Sequence, residues 1–200
     1  MDSAPWRDTN VYLPDTVQTA VKVVVVGHFA VGKTTLVGTL SEITPLRTEE
    51  TMTQAGAAVD DLAGVDGKDT TTVAMDFGRI TLNPHLVLYL FGAPGQQRFQ
   101  QLWHDIAYGA LGALVLADAR RLECSFPVID MVEEHGLAYA VAVNHFEGAP
   151  TFGEQKLREA LDLLDETPLV VCDARDRTSA TAALIALVQY LHARSSQEHA

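Results

Sequence analysis

The chain has 200 residues, 48% of them hydrophobic and 20% charged, a composition typical of a globular domain that buries a full core. Its 26 acidic residues against 14 basic ones give a net charge of −12. This argues against broad binding to nucleic acids or anionic membranes, because both need clustered Lys and Arg. Any affinity for phosphate must therefore come from local geometry. Cys124 and Cys172 match no metal-ligand or redox spacing and are expected to be reduced thiols.

The sequence shows no basic-then-apolar leader and no apolar run near the roughly 18–20 residues that span a bilayer. We therefore expect a cytoplasmic protein without a membrane span, and a position at the inner face of the membrane through partners stays open. Three segments are predicted. They are a flexible, proline-punctuated lead-in over residues 1–20, one domain over residues 21–195, and a tail over residues 196–200.

Short apolar runs alternate with helical patterns along this domain. Strands are predicted over residues 21–26, 72–80, 86–91, 111–117, 138–143 and 168–172. Helices are predicted over residues 33–41, 97–108, 128–135, 152–164 and 179–193. Near-continuous apolar strands that alternate with helices indicate a mostly parallel sheet covered on both faces. The linker 81–85 is too short for a crossover, so its two flanking strands should form an antiparallel hairpin at one edge.

The most informative stretch is Gly27-His28-Phe29-Ala30-Val31-Gly32-Lys33-Thr34, which fits the pattern G-x-x-x-x-G-K-[ST]. It lies between a predicted strand and a predicted helix, where glycines let backbone N–H groups and a helix N-terminus surround phosphate. Lys33 is expected to reach the β- and γ-phosphates, and the Thr34 hydroxyl to hold Mg²⁺. Thr35 completes the predicted loop. The pattern predicts a nucleoside triphosphate site.

A second motif follows the third predicted strand, at Gly92-Ala93-Pro94-Gly95-Gln96. With the first motif, its spacing resembles the Ras-like small GTPases from residue 21 onward. The resemblance implies a P-loop NTPase fold, α/β, with a Ras-like six-stranded mixed sheet of five parallel strands and one antiparallel edge strand. It also implies that the Gly95 N–H contacts the γ-phosphate and that Gln96 orients the attacking water, with Lys33 as its catalytic partner.

The metal site departs from the usual pattern of that family, which places Asp at the position of Gly92. A hard cation that bridges phosphates needs a nearby carboxylate, and Asp76 in the second predicted strand is the candidate. A carboxylate in an apolar strand is costly unless it is paired or metal-linked, although an edge-strand Asp facing water is the alternative. The polarity GTPases of gliding bacteria are similar here. That resemblance assigns Asp76 and Thr72 to the metal, with Thr70 and Thr71 as alternatives to Thr72.

Base recognition is expected at Asn144-His145-Phe146-Glu147, where small GTPases carry Asn-Lys-x-Asp. A carboxylate there accepts hydrogen bonds from the guanine N1–H and amine, which adenine cannot offer together. Glu147 keeps these acceptors with one extra methylene, and His145 can stack on the base. After the last predicted strand, Asp173-Ala174-Arg175 matches the final turn of the family, with the Ala174 N–H facing the guanine carbonyl.

Phe29 occupies a loop position where Ras proteins have glycine close to the catalytic glutamine. A bulky ring there is expected to crowd Gln96, so intrinsic hydrolysis should be slow until a partner quickens it. Three arginines are further candidates for residues near the site: Arg98, Arg120 and Arg121.

In these details the chain is most similar to the conservon GTPases of actinobacteria. The resemblance implies a signalling switch that binds GTP, GDP and Mg²⁺. It further implies a roadblock-type regulatory protein and a membrane sensor kinase-like complex as partners, which would contact residues 47–71 and 96–108. Two other functions remain open. One is an ATP-using P-loop enzyme, and the other is a scaffold that binds nucleotide without hydrolysing it, which Gly92 and Phe29 favour.

Overall fold

The computed structural model describes residue 13 and residues 15–46, 50–51, 70–71, 75–93 and 100–198. The strands are β1 Thr19–Val26, β2 Glu50–Thr51, β3 Thr70–Thr71, β4 Asp76–Asn83, β5 Leu86–Gly92, β6 Gly112–Asp118, β7 Tyr139–Asn144 and β8 Leu169–Cys172. The helices are α1 Lys33–Leu40, α2 Gln100–Ala107, α3 Phe126–Glu134, α4 Glu154–Ala160 and α5 Arg177–Glu198.

Six of these strands form one mixed sheet in the order β4-β5-β1-β6-β7-β8. The neighbours from β5 to β8 are parallel, and only β4 runs antiparallel, against β5. The predicted fold class and edge hairpin are therefore confirmed. β2 and β3 pair separately as a short antiparallel ribbon.

The core lies on both faces of this sheet, as the apolar strands predict. In β1, Val23 and Val25 face one side and pack with residues of α1 and α5. Val24 and Val26 face the other side and pack with residues of α2, α3 and α4. Because successive side chains of a strand point to opposite faces, a run of valines suits a strand that is buried twice.

Several element ends differ from the predicted ones. β4 begins at Asp76, so this residue starts the strand instead of lying within it, and residues 72–74 lie outside the described part. α4 ends at Ala160 and not near 164, because Asp162 turns the chain with a φ of 51°. β1 begins at Thr19, inside the predicted lead-in, and α5 continues to Glu198, inside the predicted tail. Among the described helices, none combines the length and the apolar character that crossing a bilayer requires.

The topology brings the predicted motifs together at the carboxyl ends of the parallel strands. β1, β6, β7 and β8 are parallel, so the residues that follow Val26, Asp118, Asn144 and Cys172 leave the sheet at the same side. Within this sheet, the chain passes from β1 to β4 and β5 on one side of β1 and then crosses to β6 on its other side. A crevice at the carboxyl ends of strands around such a switch point is the usual ligand position in open α/β sheets.

Candidate nucleotide-binding site

The loop between β1 and α1 has a backbone that depends on its glycines. Gly27 and Gly32 have φ values of 149° and 107°, and Ala30 has 61°. A Cβ atom on Gly27 would lie 2.6 Å from the carbonyl oxygen of Leu116, and one on Gly32 would lie 2.6 Å from Nδ2 of Asn144. Both positions therefore exclude any side chain, by conformation and by space.

The Lys33 ammonium lies over this loop. Its Nζ donates to the carbonyl oxygens of Gly27 and His28, each at 2.8 Å. Lys33 is also the first residue of α1, whose first turn carries no acidic residue. An ammonium group and a helix N-terminus thus converge on one loop, an arrangement that favours the binding of an anionic phosphate.

His28 makes a hydrogen bond within the same loop. Its Nδ1 lies 2.6 Å from the carbonyl oxygen of the half-buried Phe29, so this nitrogen is assigned as the donor. Its Nε2 is buried, and no described group hydrogen-bonds to it. Burial lowers the pKa of His28, and the charges of Lys33 and Arg121 add to this, against opposing effects of the Phe29 carbonyl and Asp118. The ring is therefore neutral at pH 7.

Thr34 and Asp76 come together from α1 and β4. The Thr34 hydroxyl donates to Oδ2 of Asp76 at 2.6 Å. Asp76 is only 3% exposed, which excludes the alternative of an edge-strand carboxylate facing water. Opposite it in the sheet is Gly92, where a Cβ atom would lie 3.0 Å from Oδ2 of Asp76.

This pair fits Mg²⁺ by its donor chemistry. Mg²⁺ is usually held by one or two protein oxygens, with phosphates and waters as the remaining ligands. Within the part of the chain that the structure describes, no group of three or more His, Cys, Asp or Glu could hold a metal by itself. One hydroxyl and one carboxylate next to the phosphate loop are what a nucleotide-bound Mg²⁺ requires.

Asn144 connects three segments of the site. Its Nδ2 donates to the Val31 carbonyl at 2.9 Å, and its Oδ1 accepts the Ala174 N–H at 2.9 Å. The His145 N–H donates to the Cys172 carbonyl at 2.7 Å. The buried Asn144 amide thus accepts the Ala174 N–H, the group that is expected to face a guanine carbonyl.

The exposed rim of the candidate site carries the charged residues of the segments 144–147 and 173–175, where base recognition is expected. Arg175 donates from Nε and Nη2 to the two carboxylate oxygens of Asp173, at 2.9 and 2.8 Å. These hydrogen bonds, with a backbone N–H and the charge of Arg175, lower the pKa of Asp173 to about 2. Glu147 is exposed and close enough for its charge to raise the pKa of Arg175 further. His145 is exposed beside them.

Asp118 is the functional candidate that sequence reasoning missed. It ends β6, is 1% exposed, and accepts hydrogen bonds from the backbone N–H, Nε and Nη2 of Arg120 at 2.9, 3.0 and 2.6 Å. Burial acts to raise the pKa of Asp118, but the Arg120 hydrogen bonds and charge hold it below its usual value. The Arg120 guanidinium lies 3.9 Å from the centre of the Phe146 ring. The available signal was a single acid closing an otherwise apolar strand.

The remaining predicted site residues are either exposed or outside the described part of the chain. Thr35 is exposed in the first turn of α1. Thr72, Gly95 and Gln96 lie outside the described residues, as does Arg98. The candidate site in the described part of the chain therefore consists of the phosphate loop, the Thr34–Asp76 pair, the turn 144–147 and the Asp173–Arg175 pair.

Two solved structures share this architecture. The FeoB G domain of Methanococcus jannaschii aligns with a TM-score of 0.58 at 15% identity, over 88% of this chain and 99% of its own. The G domain of the T. maritima FeoB iron transporter aligns with a TM-score of 0.59 at 18% identity, over 86% of this chain and 99% of its own. These similarities establish the P-loop G-domain fold.

Sequence comparison identifies relatives at the level of the family. An uncharacterized protein of Methanocaldococcus jannaschii is 31% identical over 126 residues, which are 62% of this chain and 69% of that protein. The model of a family described as "conserved hypothetical ATP binding protein" matches residues 25–194. That match runs from the end of β1 through the phosphate loop, the segments 144–147 and 173–175 and most of α5, and so the chain belongs to this family.

Proposed function

We propose that this chain is a molecular switch that binds GTP with Mg²⁺ and hydrolyses it slowly. The observation that carries the proposal is the 2.6 Å hydrogen bond between Thr34 and Asp76, next to Lys33 in the phosphate loop. It joins a hydroxyl and a buried carboxylate at the residue after Lys33, whose ammonium group lies over the same loop. A structural role alone does not require this combination at the mouth of a glycine loop.

The roles of the loop residues follow from their chemistry. Lys33 would exchange its two carbonyl partners for phosphate oxygens and stabilise negative charge on the γ-phosphate during transfer. Thr34 and Asp76 would hold Mg²⁺, which supplies charge neutralisation at the phosphates when bound. We assign Thr72 as a further metal ligand, Gly95 as a γ-phosphate contact, and Gln96 as the residue that orients water.

Guanine preference is proposed from Glu147. Its exposed carboxylate can accept hydrogen bonds from the guanine N1–H and exocyclic amine, whereas adenine presents an unprotonated N1. The description of the family names ATP and favours the second candidate, an ATP-using P-loop enzyme. In that case, Glu147 would make no contribution to the choice of base.

The biological setting is proposed from the similarity to conservon GTPases. We place the chain in the cytoplasm, where a roadblock-type protein and a membrane sensor kinase-like complex would bring it to the inner face of the membrane. The nucleotide state would be read by these partners. Phe29, half-buried in the phosphate loop, supports slow intrinsic hydrolysis. If the rate of hydrolysis were zero, the chain would be a scaffold that binds nucleotide without hydrolysing it.

Calorimetry with purified protein tests the binding proposal. GTP and ATP are titrated separately, with Mg²⁺ and with a chelator. Lys33→Ala should weaken GTP binding about 10- to 100-fold, since a hydrogen bond to a charged group contributes about 1.5–3 kcal/mol. Lys156→Ala, an exposed lysine on α4, is the matched control. Thermal unfolding of each variant shows that the fold is retained.

The outcomes separate the candidate functions. Tighter binding of GTP than ATP, lost in Glu147→Ala, supports the guanine assignment, whereas unchanged base preference in Glu147→Ala favours the ATP-using enzyme. Single-turnover hydrolysis distinguishes a slow GTPase from a scaffold. If the wild-type chain binds no triphosphate at millimolar concentration, or if Lys33→Ala binds as tightly as wild type, the proposal fails.

A further inference from the structure

We propose that Arg120 is a positioning residue for base recognition, which holds the turn 144–147 against the end of β6. The proposal rests on the proposed nucleotide site but not on the choice between guanine and adenine. Neither Arg120 nor its anchor Asp118 is required by the phosphate-loop chemistry described above. Three observations carry it: a buried anchor, a stacked ring and the position of that ring in the turn.

The anchor is the Asp118 carboxylate. It is 1% exposed, and three groups of Arg120 donate hydrogen bonds to it: the backbone N–H and the guanidinium Nε and Nη2. Two guanidinium contacts to one carboxylate fix the plane of the group as well as its position. Although Arg120 is largely exposed, its head group is therefore held in one orientation.

The ring is that of Phe146. The Arg120 guanidinium carbon lies 3.9 Å from the ring centre, well within the distance of a cation–π contact. Phe146 is half-buried, whereas its neighbours His145 and Glu147 are exposed. Phe146 is thus the most buried of these three side chains in the turn 144–147, and Arg120 covers its face.

The other described hydrogen bonds hold the two ends of the turn, where the His145 N–H donates to the Cys172 carbonyl at 2.7 Å. Asn144 fixes its first residue, and the Ala149 N–H donates to the Phe146 carbonyl at 3.0 Å. Gly148 follows with a φ of 73°. Between these points, the contact of Arg120 with Phe146 sets where Glu147 lies. Loss of that contact should therefore impair recognition of the base, while the phosphate loop keeps its own contacts.

The first experiment compares two ligands in calorimetry: the preferred purine nucleoside triphosphate and inorganic triphosphate. In Arg120→Ala, the affinity ratio of the two should fall about 5- to 20-fold, because a well-packed cation–π contact and its ordering effect contribute about 1–2 kcal/mol. The affinity for inorganic triphosphate should stay within about twofold of wild type. Arg120→Lys should resemble Arg120→Ala, because an ammonium group cannot hold both Asp118 oxygens and lie flat on the ring.

The matched control is Arg194→Ala. Arg194 also lies over an aromatic ring, with its guanidinium carbon 5.7 Å from the centre of Tyr190. It belongs to α5, roughly 25 Å along the helix axis from Arg177 at the end nearest the site. This variant should leave both affinities unchanged.

The second experiment needs no ligand. Hydrogen exchange of peptides that cover residues 144–149 should be about tenfold faster in Arg120→Ala than in wild type or Arg194→Ala. Phe146→Leu should reproduce this effect, and the double variant Arg120→Ala/Phe146→Leu should add little to either single change.

The outcomes keep the two proposals apart. The positioning role is overturned if Arg120→Ala keeps its affinity ratio, if both ligands weaken equally, if Arg120→Lys behaves as wild type, or if exchange over 144–149 is unchanged. A wild-type preference for ATP overturns only the guanine assignment, since the ratio is then measured with ATP. A wild-type chain that binds no nucleotide overturns both proposals.

Discussion

The Asp76 carboxylate occupies the space that a side chain at Gly92 would need. The two residues are directly opposite in the β4–β5 pair. A Cβ atom on Gly92 would lie 3.0 Å from both Cβ and Oδ2 of Asp76. A side chain at Gly92 would therefore require Asp76 to shift, and in this chain the carboxylate is on β4.

The first prediction concerns variants that place a carboxylate at position 92, with and without the one at position 76. Gly92→Asp alone should lower the free energy of unfolding by about 2–4 kcal/mol, because it combines overpacking with a second buried negative charge. Asp76→Ala/Gly92→Asp should recover part of that loss, because it removes the second charge and the contact with Oδ2 but keeps the Cβ at position 76. Chemical denaturation measures both.

The metal-binding consequence is measured on the same variants. Asp76→Ala should weaken Mg²⁺-dependent GTP binding far more than GDP binding without metal, and the double variant should restore part of the Mg²⁺ dependence. Equal losses with and without metal would remove Asp76 from the metal site. A double variant less stable than Gly92→Asp would contradict the packing argument.

The second prediction concerns Asn144, which ties the phosphate loop to the last turn. Asn144→Ala should destabilise the fold by about 2–4 kcal/mol, because it leaves the Val31 carbonyl and the Ala174 N–H without their partner in a buried site. Asn144→Asp should keep the hydrogen bond from the Ala174 N–H, since the carboxylate still accepts it, and should lose only the one to the Val31 carbonyl. Asn83→Ala, which removes an exposed acceptor of the His85 N–H, is the control. Similar small losses in both Ala variants would show that the bridge contributes little.

The third prediction separates backbone strain from steric exclusion in the phosphate loop. Gly136 has a φ of 66° and no atom within 4 Å of a built Cβ, so Gly136→Ala should cost only the strain of about 1–2 kcal/mol. Gly32→Ala should cost at least twice as much, because its Cβ would also meet Asn144. Ala30→Gly should be neutral or raise stability by up to about 1 kcal/mol, since Ala30 already has a φ of 61°. Equal costs for the two Gly→Ala variants would argue against the contact with Asn144.

The fourth prediction is a pH dependence that comes from His28. Burial holds its folded-state pKa below 6.5, so the unfolded chain takes up this proton first as the pH falls. The stability contribution is therefore complete above pH 6.5 and is lost as the pH falls below that value toward the folded pKa. The free energy of unfolding, measured by denaturation from pH 5 to pH 8, should depend less on pH in His28→Gln than in wild type.

Burial is the largest cause of the lowered pKa of His28, and the neighbouring groups modify it. Lys33 and Arg121 lower its pKa further, while the Phe29 carbonyl and Asp118 act in the opposite direction. The exposed His192 on α5 gives the control variant His192→Gln. A slope in this pH range that persists unchanged in His28→Gln would assign it to other groups.

The local sequence was enough to locate the phosphate loop and most of the sheet. A run of valines, two glycines and a Lys-Thr pair specify strand, loop and helix within residues 21–40, because these signals act between near neighbours. The short linker at 81–85 likewise specified the hairpin. Asp76 was identified as unusual by its apolar surroundings in the sequence alone.

Tertiary structure decided which of these groups meet. Three contacts join residues from different segments of the fold: Thr34 with Asp76, Asn144 with Ala174, and Arg120 with Phe146. Their meeting depends on strand order and register, which place distant segments at one sheet edge. A pattern read along the chain carries no such information, because long-range contacts are fixed only when the whole core packs.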